Sequence, residues 1–337
     1  MLSTEILDTL SIVALATSTS ANVDTYRNFC FRDGQVATFN GEFGLLAKSP
    51  ISATGCISAE KLLTVLKRLS GEVVIKDTGK ALAISCGSFK SSIGTAGAAF
   101  FPRILPSEFS PLEKSSCLFP ALNKVAFCCG DSEKILNVHG IGVRENKVYA
   151  SDSKRAARYE IDAIYPDPFV LPSKAIKIAK KIGEPDEFFR SENVLIFAYS
   201  SKSMVLVSCL EAKKFPFEAC DDIFDALIDP SYCAEFPEEL SAMIKRVSSV
   251  SKRGSILFGS DRENLLVSCD EKEFGDASEM IDWNCPHEFS VYINSDYLVE
   301  ALSHTRKVDL YDVVCGKKRF LRFFEDRFQH IIALMEL

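Results

Sequence analysis

The stretch ISAEKLLTVLKRLSG, Ile57 to Gly71, decides the reading of this chain because it recurs. Ser58 is a helix-capping residue, and Glu60 falls in the first turn, where the helix dipole favours an acid. Leu62, Leu66 and Leu69 repeat at helical spacing, and Gly71 can stop the helix. Lys61, Thr64, Lys67 and Arg68 lie on the opposite face. The same pattern returns 114 residues later in LPSKAIKIAKKIG, Leu171 to Gly183, and a further 122 residues on in INSDYLVEALSHT, Ile293 to Thr305. Each time an apolar residue precedes a cap or helix-start residue and a β-rich segment follows. A period this long implies three copies of a whole domain.

The rest of each copy aligns around that helix. The first opens with an amphipathic helix, Ile6, Leu7, Leu10 and Val13, followed by NFCFRDGQVATFNGEFGLLAK, in which Asp33-Gly34 marks a tight turn. Strands follow at Val73–Asp77 and Ala81–Cys86, and the copy closes at Phe101-Pro102. The second opens with Leu118, Leu122, Val125 and Ala126, continues through the hairpin GIGVRENKVYASDSKRA and the strands VLIFAY and MVLVSCL, and closes at Phe215-Pro216, again 114 residues on. The third opens with Leu240, Met243, Ile244 and Val247, passes through ILFGSDRENLLVSCD, and ends in RFQHIIALMEL. These boundaries predict three α+β domains, 1–113, 114–224 and 225–337, each with helices on one side of antiparallel sheets. Repeating such a unit gives a curved array or a ring.

Composition bounds the function. A chain of 337 residues with 47% hydrophobic and 25% charged residues reads as globular and soluble. No apolar run approaches the ~20 residues of a membrane span, and MLSTEILDTL lacks the basic start of a secretion signal. Twelve cysteines are scattered without a CxxC pair, and Cys128-Cys129 lies among apolar residues. Buried free thiols in a reducing cytoplasm are the expectation. The net charge of −7 excludes nucleic-acid binding through overall basicity, but not through a local basic surface.

The motifs carry a resemblance. ISAEKLLTVLKRL with Phe101-Pro102 resembles the first domain of the bacterial DNA polymerase III β subunit family, the replicative sliding clamps. KILNVHGIGVRENKVYASDSKRAARYEI is similar to that family's second-domain segment, usually LNG followed by ATDGHRLA. KKFPFEACDDI resembles its domain-two ending, and IIALMEL its closing IMPMRL. The elements fall in family order over nearly the whole chain.

The resemblance implies a head-to-tail homodimer of three-domain subunits closing around duplex DNA, with helices lining the hole, and no cofactor. The basic helix faces agree: Lys61, Lys67 and Arg68, then Lys174, Lys177 and Lys181, then Arg306 and Lys307, with Lys124, Lys245 and Arg246 from the opening helices. Such cations meet phosphates at any register, which permits sliding without base readout. Glu5, Asp8 and Glu300 interrupt the basic lining. By motif, Lys134 and Ile135 beside Leu136 and Asn137 fall where the family touches DNA. The family also captures peptides of the polymerase, clamp loader and repair proteins in an apolar pocket. Carried over by motif, its wall is Leu136, Ser151, Ser153, Arg155, Ala156, Pro216, Ile331, Leu334, Met335 and Leu337. The chain departs from the family with Ser153-Lys154-Arg155-Ala156 for Gly-His-Arg-Leu, and with Leu334 and Glu336 for Pro and Arg. The dimer joint is expected near Phe101 on one side and Val247 and Val250 on the other.

Catalytic signatures are missing: the sequence has no HExxH, GxSxG or phosphate-binding glycine loop. Cys285-Pro286-His287 supplies two metal-ligand types without a completing set. Asp152 aligns with Asn40 and Asp270, which reads as turn chemistry. The expectation is a non-enzymatic cytoplasmic sliding clamp. The alternatives are a clamp-fold scaffold that binds proteins without encircling DNA and, more distantly, an enzyme with an unrecognised site.

Overall fold

A computed structural model describes residues 2–18, 24–113, 115–130, 140–210, 215–227, 230, 232–252, 254–271, 275–310 and 320–335. The first stretch of chain forms α1 (Ser3–Val13), β1 (Asn28–Arg32), β2 (Gln35–Phe39), β3 (Phe43–Lys48), β4 (Gly55–Ser58), α2 (Ala59–Leu66), β5 (Val74–Asp77), β6 (Ala81–Cys86), β7 (Phe89–Gly94) and β8 (Ser110–Pro111). Then come α3 (Leu118–Val125), β9 (Ile141–Ser151), β10 (Arg155–Leu171), α4 (Ser173–Ile182), β11 (Glu187–Arg190), β12 (Val194–Tyr199), β13 (Met204–Cys209) and α5 (Phe217–Asp225). The last stretch forms β14 (Tyr232–Glu235), α6 (Leu240–Ser248), β15 (Ser255–Ser260), β16 (Asn264–Glu271), β17 (Gly275–Asp282), β18 (Phe289–Asn294), α7 (Ser295–His304), β19 (Lys307–Leu310), β20 (Phe320–Glu325) and β21 (Phe328–Ala333).

Local chemistry sets the recurring helices. The Ser58 hydroxyl accepts from the Lys61 amide (3.4 Å) at the start of α2, and the Asn294 side chain accepts from the Tyr297 amide (3.1 Å) at the start of α7. Gly71 does not stop α2. The helix ends at Leu66, Arg68 and Leu69 follow in i→i+3 turns, and Gly71 lies beyond at φ 98° with its carbonyl accepting from the Ser3 amide (3.2 Å). Asp33 and Gly34 turn the β1–β2 hairpin at φ 53° and 72°.

Packing divides the chain into two compact units, Met1–Phe119 with Phe169–Ala212, and Pro120–Pro168 with Lys213–Leu337. In the first, an eight-stranded antiparallel sheet runs β4-β1-β2-β3-β13-β12-β11-β8, and β5-β6-β7 form a small second sheet. The large sheet joins two copies of the repeat: β3 pairs β13 from Phe43↔Ser208 to Ala47↔Met204. Helices α1 and α2 pack together over Ile6, Leu10, Val13, Leu62 and Leu66, all fully buried. Burying each such side chain stabilises by roughly 1.5–3 kcal/mol.

The second unit holds a six-stranded sheet, β14-β19-β20-β21-β10-β9, and a four-stranded one, β17-β16-β15-β18. Here β10 of the second copy pairs β21 of the third, from Arg155↔Ile332 to Tyr159↔Phe328. Helices α6 and α7 pack together, and Leu240, Met243, Ile244 and Val247 of α6 sit in a core with Phe236, Phe258 and Phe323. The architecture is α+β with antiparallel sheets throughout. Among the described residues, no helix is long and apolar enough to cross a membrane.

Candidate functional site: an apolar pocket and the basic helix faces

The β10–β21 ladder places Ala156 opposite Ile331, and a cavity of about 370 Å³ opens above that pair. Ser151, Ser153, Arg155, Ala156, Pro216, Ile331 and Leu334 all line it, so seven of the ten side chains expected from sequence meet at one place. Leu136 and Leu337 lie outside the described residues. Met335 is a correction. Its amide bonds the Tyr292 carbonyl (2.8 Å) and its sulfur meets the Ser255 hydroxyl (3.4 Å), so it belongs to the edge of β18 and not to the cavity.

Sequence reasoning missed the α5 wall, made by Ala219, Cys220 and Ile223, and it missed Phe320. The spacing of Phe217, Cys220 and Phe224, all buried, was the available signal that FEACDDIFD is an amphipathic helix. Asp221 pins that helix. Its carboxylate accepts from the Tyr149 hydroxyl (2.7 Å), Arg144 (2.5 Å), Lys147 (3.3 Å) and Arg158 (3.4 Å). Burial raises the Asp221 pKa, but the bonds from Tyr149, Lys147 and Arg144 outweigh it and hold the carboxyl below its ordinary value. Gly142 of β9 completes the support, since a Cβ there would fall 2.7 Å from the Phe217 ring and 2.9 Å from that of Phe215. Only glycine lets those rings flank Pro216.

A polar turn forms the opposite rim. Asp152 accepts from the Lys154 and Arg155 amides (3.0 Å each), and the Ser151 hydroxyl accepts from the Ser153 amide (3.1 Å). Asn40 makes the same kind of turn, accepting from the Glu42 and Phe43 amides (2.9 Å each). Asp270 does not, because it lies within β16 opposite Asp276; in that copy Asp261 accepts from the Glu263 and Asn264 amides instead. The Arg155 guanidinium turns inward. It donates to Asp152 (2.9 Å), Glu300 (2.5 Å) and the Phe127 carbonyl (3.0 Å) and stacks 4.2 Å from the Tyr297 ring. Arg155 therefore braces the rim and offers the cavity no free charge.

Beside this brace, His330 is fully buried among Phe127, Phe323 and Phe328, with neither ring nitrogen hydrogen-bonded. Burial, with Arg155 and His304 adding to it, holds its pKa well below the ordinary histidine value, so the ring is neutral.

Most of the expected cations are exposed, and several of them meet acids. Lys61 on α2, Lys67 and Arg68 just past its end, Lys174, Lys177 and Lys181 on α4, and Lys245 on α6 are exposed, and Lys180 joins the α4 set. Lys174 reaches Glu42 at 3.5 Å. Three others are tied into their own unit, contrary to expectation. Lys124 bonds the His304 carbonyl (3.4 Å) and Glu325 (3.5 Å), Arg246 grips Glu279 with two nitrogens, and Arg306 pairs with Glu235 (2.8 Å) and Glu238 (3.5 Å). Lys134 lies outside the described residues.

The side chains expected at the dimer joint lie mostly in the interior of the chain. Phe101 is 5% exposed within a cluster containing Cys30, Ala37 and Cys56, and Val247 is 2% exposed inside the α6 core. Val250 packs half-buried against that same core. These side chains hold their own folds together; the surface beside Phe101 is carried by Phe100, which is 87% exposed. No group of three or more His, Cys, Asp or Glu able to hold a metal occurs among the described residues. Cys285 is buried, and His287 packs against Tyr232.

No family model matches the sequence, and no curated protein is similar to it in sequence. The fold is nevertheless a defined one: the chain has the fold of the DNA polymerase III β subunits, the bacterial sliding clamps. It is similar to the β subunit of Thermotoga maritima (19% identity, TM-score 0.80, covering 100% of this chain and 98% of that one). It is also similar to the sliding clamp of Caulobacter crescentus (14% identity, TM-score 0.83, 100% and 99% covered). A third similar structure is the Helicobacter pylori β clamp bound to a DNA ligase peptide (16% identity, TM-score 0.82, 100% and 99% covered).

Proposed function

We propose that this chain is a DNA sliding clamp, a non-catalytic processivity factor that encircles duplex DNA and tethers partners by short peptides. The observation that carries the proposal is the convergence of Ser151, Ser153, Ala156, Pro216, Ile331 and Leu334 on one cavity, in a chain whose fold matches clamps end to end. A pocket with apolar walls and a polar turn at its rim suits a peptide that buries one or two Leu or Phe side chains. The partners are the peptides of a replicative polymerase, of a clamp loader and of repair enzymes, and the setting is the cytoplasm.

In this reading the chain comprises three clamp domains, 1–113, 114–224 and 225–337, and two chains close a six-domain ring. The exposed lysines of α2 and α4, with Lys245, meet the phosphates. One observation favours the alternative of a clamp-fold scaffold that does not encircle DNA: Lys124, Arg246 and Arg306 are already engaged with acids. The test is retention on DNA. Protein loaded on a nicked circle stays bound and is released when the circle is cut, while Lys174→Glu, Lys177→Glu and Lys181→Glu together impair loading without unfolding the chain. Equal retention on linear and circular DNA refutes encirclement and leaves the scaffold.

A further inference from the structure

Cys30 of β1 and Cys56 of β4 stand directly opposite each other across an antiparallel ladder. The Cys56 amide and carbonyl both bond Ala96 on the far side, at 2.7 and 2.9 Å. The Cys30–Cys56 pair is therefore a non-hydrogen-bonded one, the kind in which opposed Cα atoms come to about 4.5 Å and side chains lie closest. That separation falls within the ~4.4–6.8 Å that a disulfide spans. The approach of Ala96 is close enough that only glycine fits beside it: Gly55 has φ 105°, and a Cβ there would fall 2.6 Å from the Ala96 carbonyl oxygen.

Both thiols are free. No other described cysteine is so placed; Cys86, Cys209, Cys233 and Cys269 face Phe89, Val194, Asp309 and Ala277 across their ladders. Cys30 also lines a cavity of about 380 Å³ with Arg32, Ala37, Phe101 and Ile104, which gives small molecules a route to Cys30.

From this geometry we infer that Cys30 and Cys56 form a dithiol modification site, which a small disulfide entering that cavity converts to an intrachain disulfide. One thiolate of the pair attacks a sulfur of the small disulfide RSSR and expels RS⁻. The second thiolate then displaces the other RS⁻ from the mixed disulfide. Two electrons pass from the pair to RSSR, and the two thiol protons leave with the products as two RSH.

The local charge favours the first step. The neighbouring Cys30 thiol pulls Cys56 below the ordinary thiol value against the effect of burial, and the Arg32 guanidinium adds to the pull; Cys56 and burial push Cys30 up. The bond forms beneath the Ala98–Phe101 turn. Phe101 shares one core cluster with Cys30 and Cys56, and the Ala98 carbonyl accepts from Arg32.

The test uses the full chain, reduced, freed of reductant and incubated with glutathione disulfide, then alkylated and mapped by peptide mass without reduction. The expected product is the Cys30–Cys56 linked peptide, in at least about tenfold excess over any other bridge and reversed by dithiothreitol. Cys30→Ser and Cys56→Ser each stop at a single mixed glutathione disulfide at the remaining partner. A map in which other cysteines bridge at a comparable rate, or in which only the exposed Cys233 reacts, overturns the inference.

Discussion

Replacing Asp221 by Ala tests whether one carboxylate positions the wall of the pocket. The side chain is 19% exposed and accepts from Tyr149, Arg144, Lys147 and Arg158. Its removal leaves the Tyr149 hydroxyl without the acceptor that the structure gives it, in a residue that is fully buried. It also takes one carboxylate from Arg158, whose Nε already has no partner, although Asp225 (3.0 Å) and Gln329 (3.4 Å) remain. Breaking a buried ion pair destabilises by about 3–5 kcal/mol. Partial exposure and the surviving partners reduce this to about 2–3 kcal/mol. The loss falls on α5, so the assay is amide hydrogen exchange resolved along the chain. An opening free energy lower by that amount speeds exchange in α5 by roughly 30- to 150-fold. Because the folded Asp221 pKa lies below its ordinary 3.8, the contribution is complete above that value and is lost as pH falls through the lower folded one. The difference between wild type and variant therefore narrows as the pH falls below 3.8. The exposed neighbour is the control, since Asp222→Ala leaves exchange unchanged. Acceleration of α5 by less than about threefold in Asp221→Ala refutes the idea that the carboxylate holds the wall.

Three other outcomes follow from the same unit. Ile223→Asp puts a charge on the α5 wall of the cavity and weakens binding of a clamp-binding peptide at least tenfold, about 1.4 kcal/mol, by calorimetric titration, without altering the thermal transition. His330→Leu removes two buried nitrogens that have no partners and stabilises the chain by about 1–2 kcal/mol in thermal unfolding at pH 7. The advantage of His330→Leu widens as pH falls below about 6.5, where the unfolded histidine takes up a proton that the folded one refuses; a constant difference from pH 7 to pH 5 refutes the neutral buried ring. Gly142→Ala drives a methyl group into the Phe215 and Phe217 rings and destabilises by about 1–3 kcal/mol, read from the shift of the thermal transition.

The sequence by itself determined what is local and periodic. Ser58 and Asn294 cap their helices as side-chain chemistry requires, Asp33-Gly34 and Asn40 turn their hairpins, and leucines at helical spacing enter the cores. The threefold recurrence of these signals supported an α+β repeat, and the motifs around Ser151 and Ile331 pointed at residues that do meet. Only the tertiary structure decided which strand edge pairs with which. Alternation along β3 or β21 fixes which side chains face inward, but not that β3 would pair β13 or that β21 would pair β10. Long-range partners also set the fate of individual charges and side chains. Arg155 turns inward to Glu300, 145 residues away, and Lys124 reaches Glu325, 201 residues away. Asp221 gathers four donors from two strands. The apolar character of Phe101 was plain in the sequence, yet whether it faced a partner or its own core depended on Cys30 and Cys56 arriving beneath it. Helical and β periodicity are written in neighbouring residues, whereas pairing and burial belong to groups brought together from distant parts of the chain.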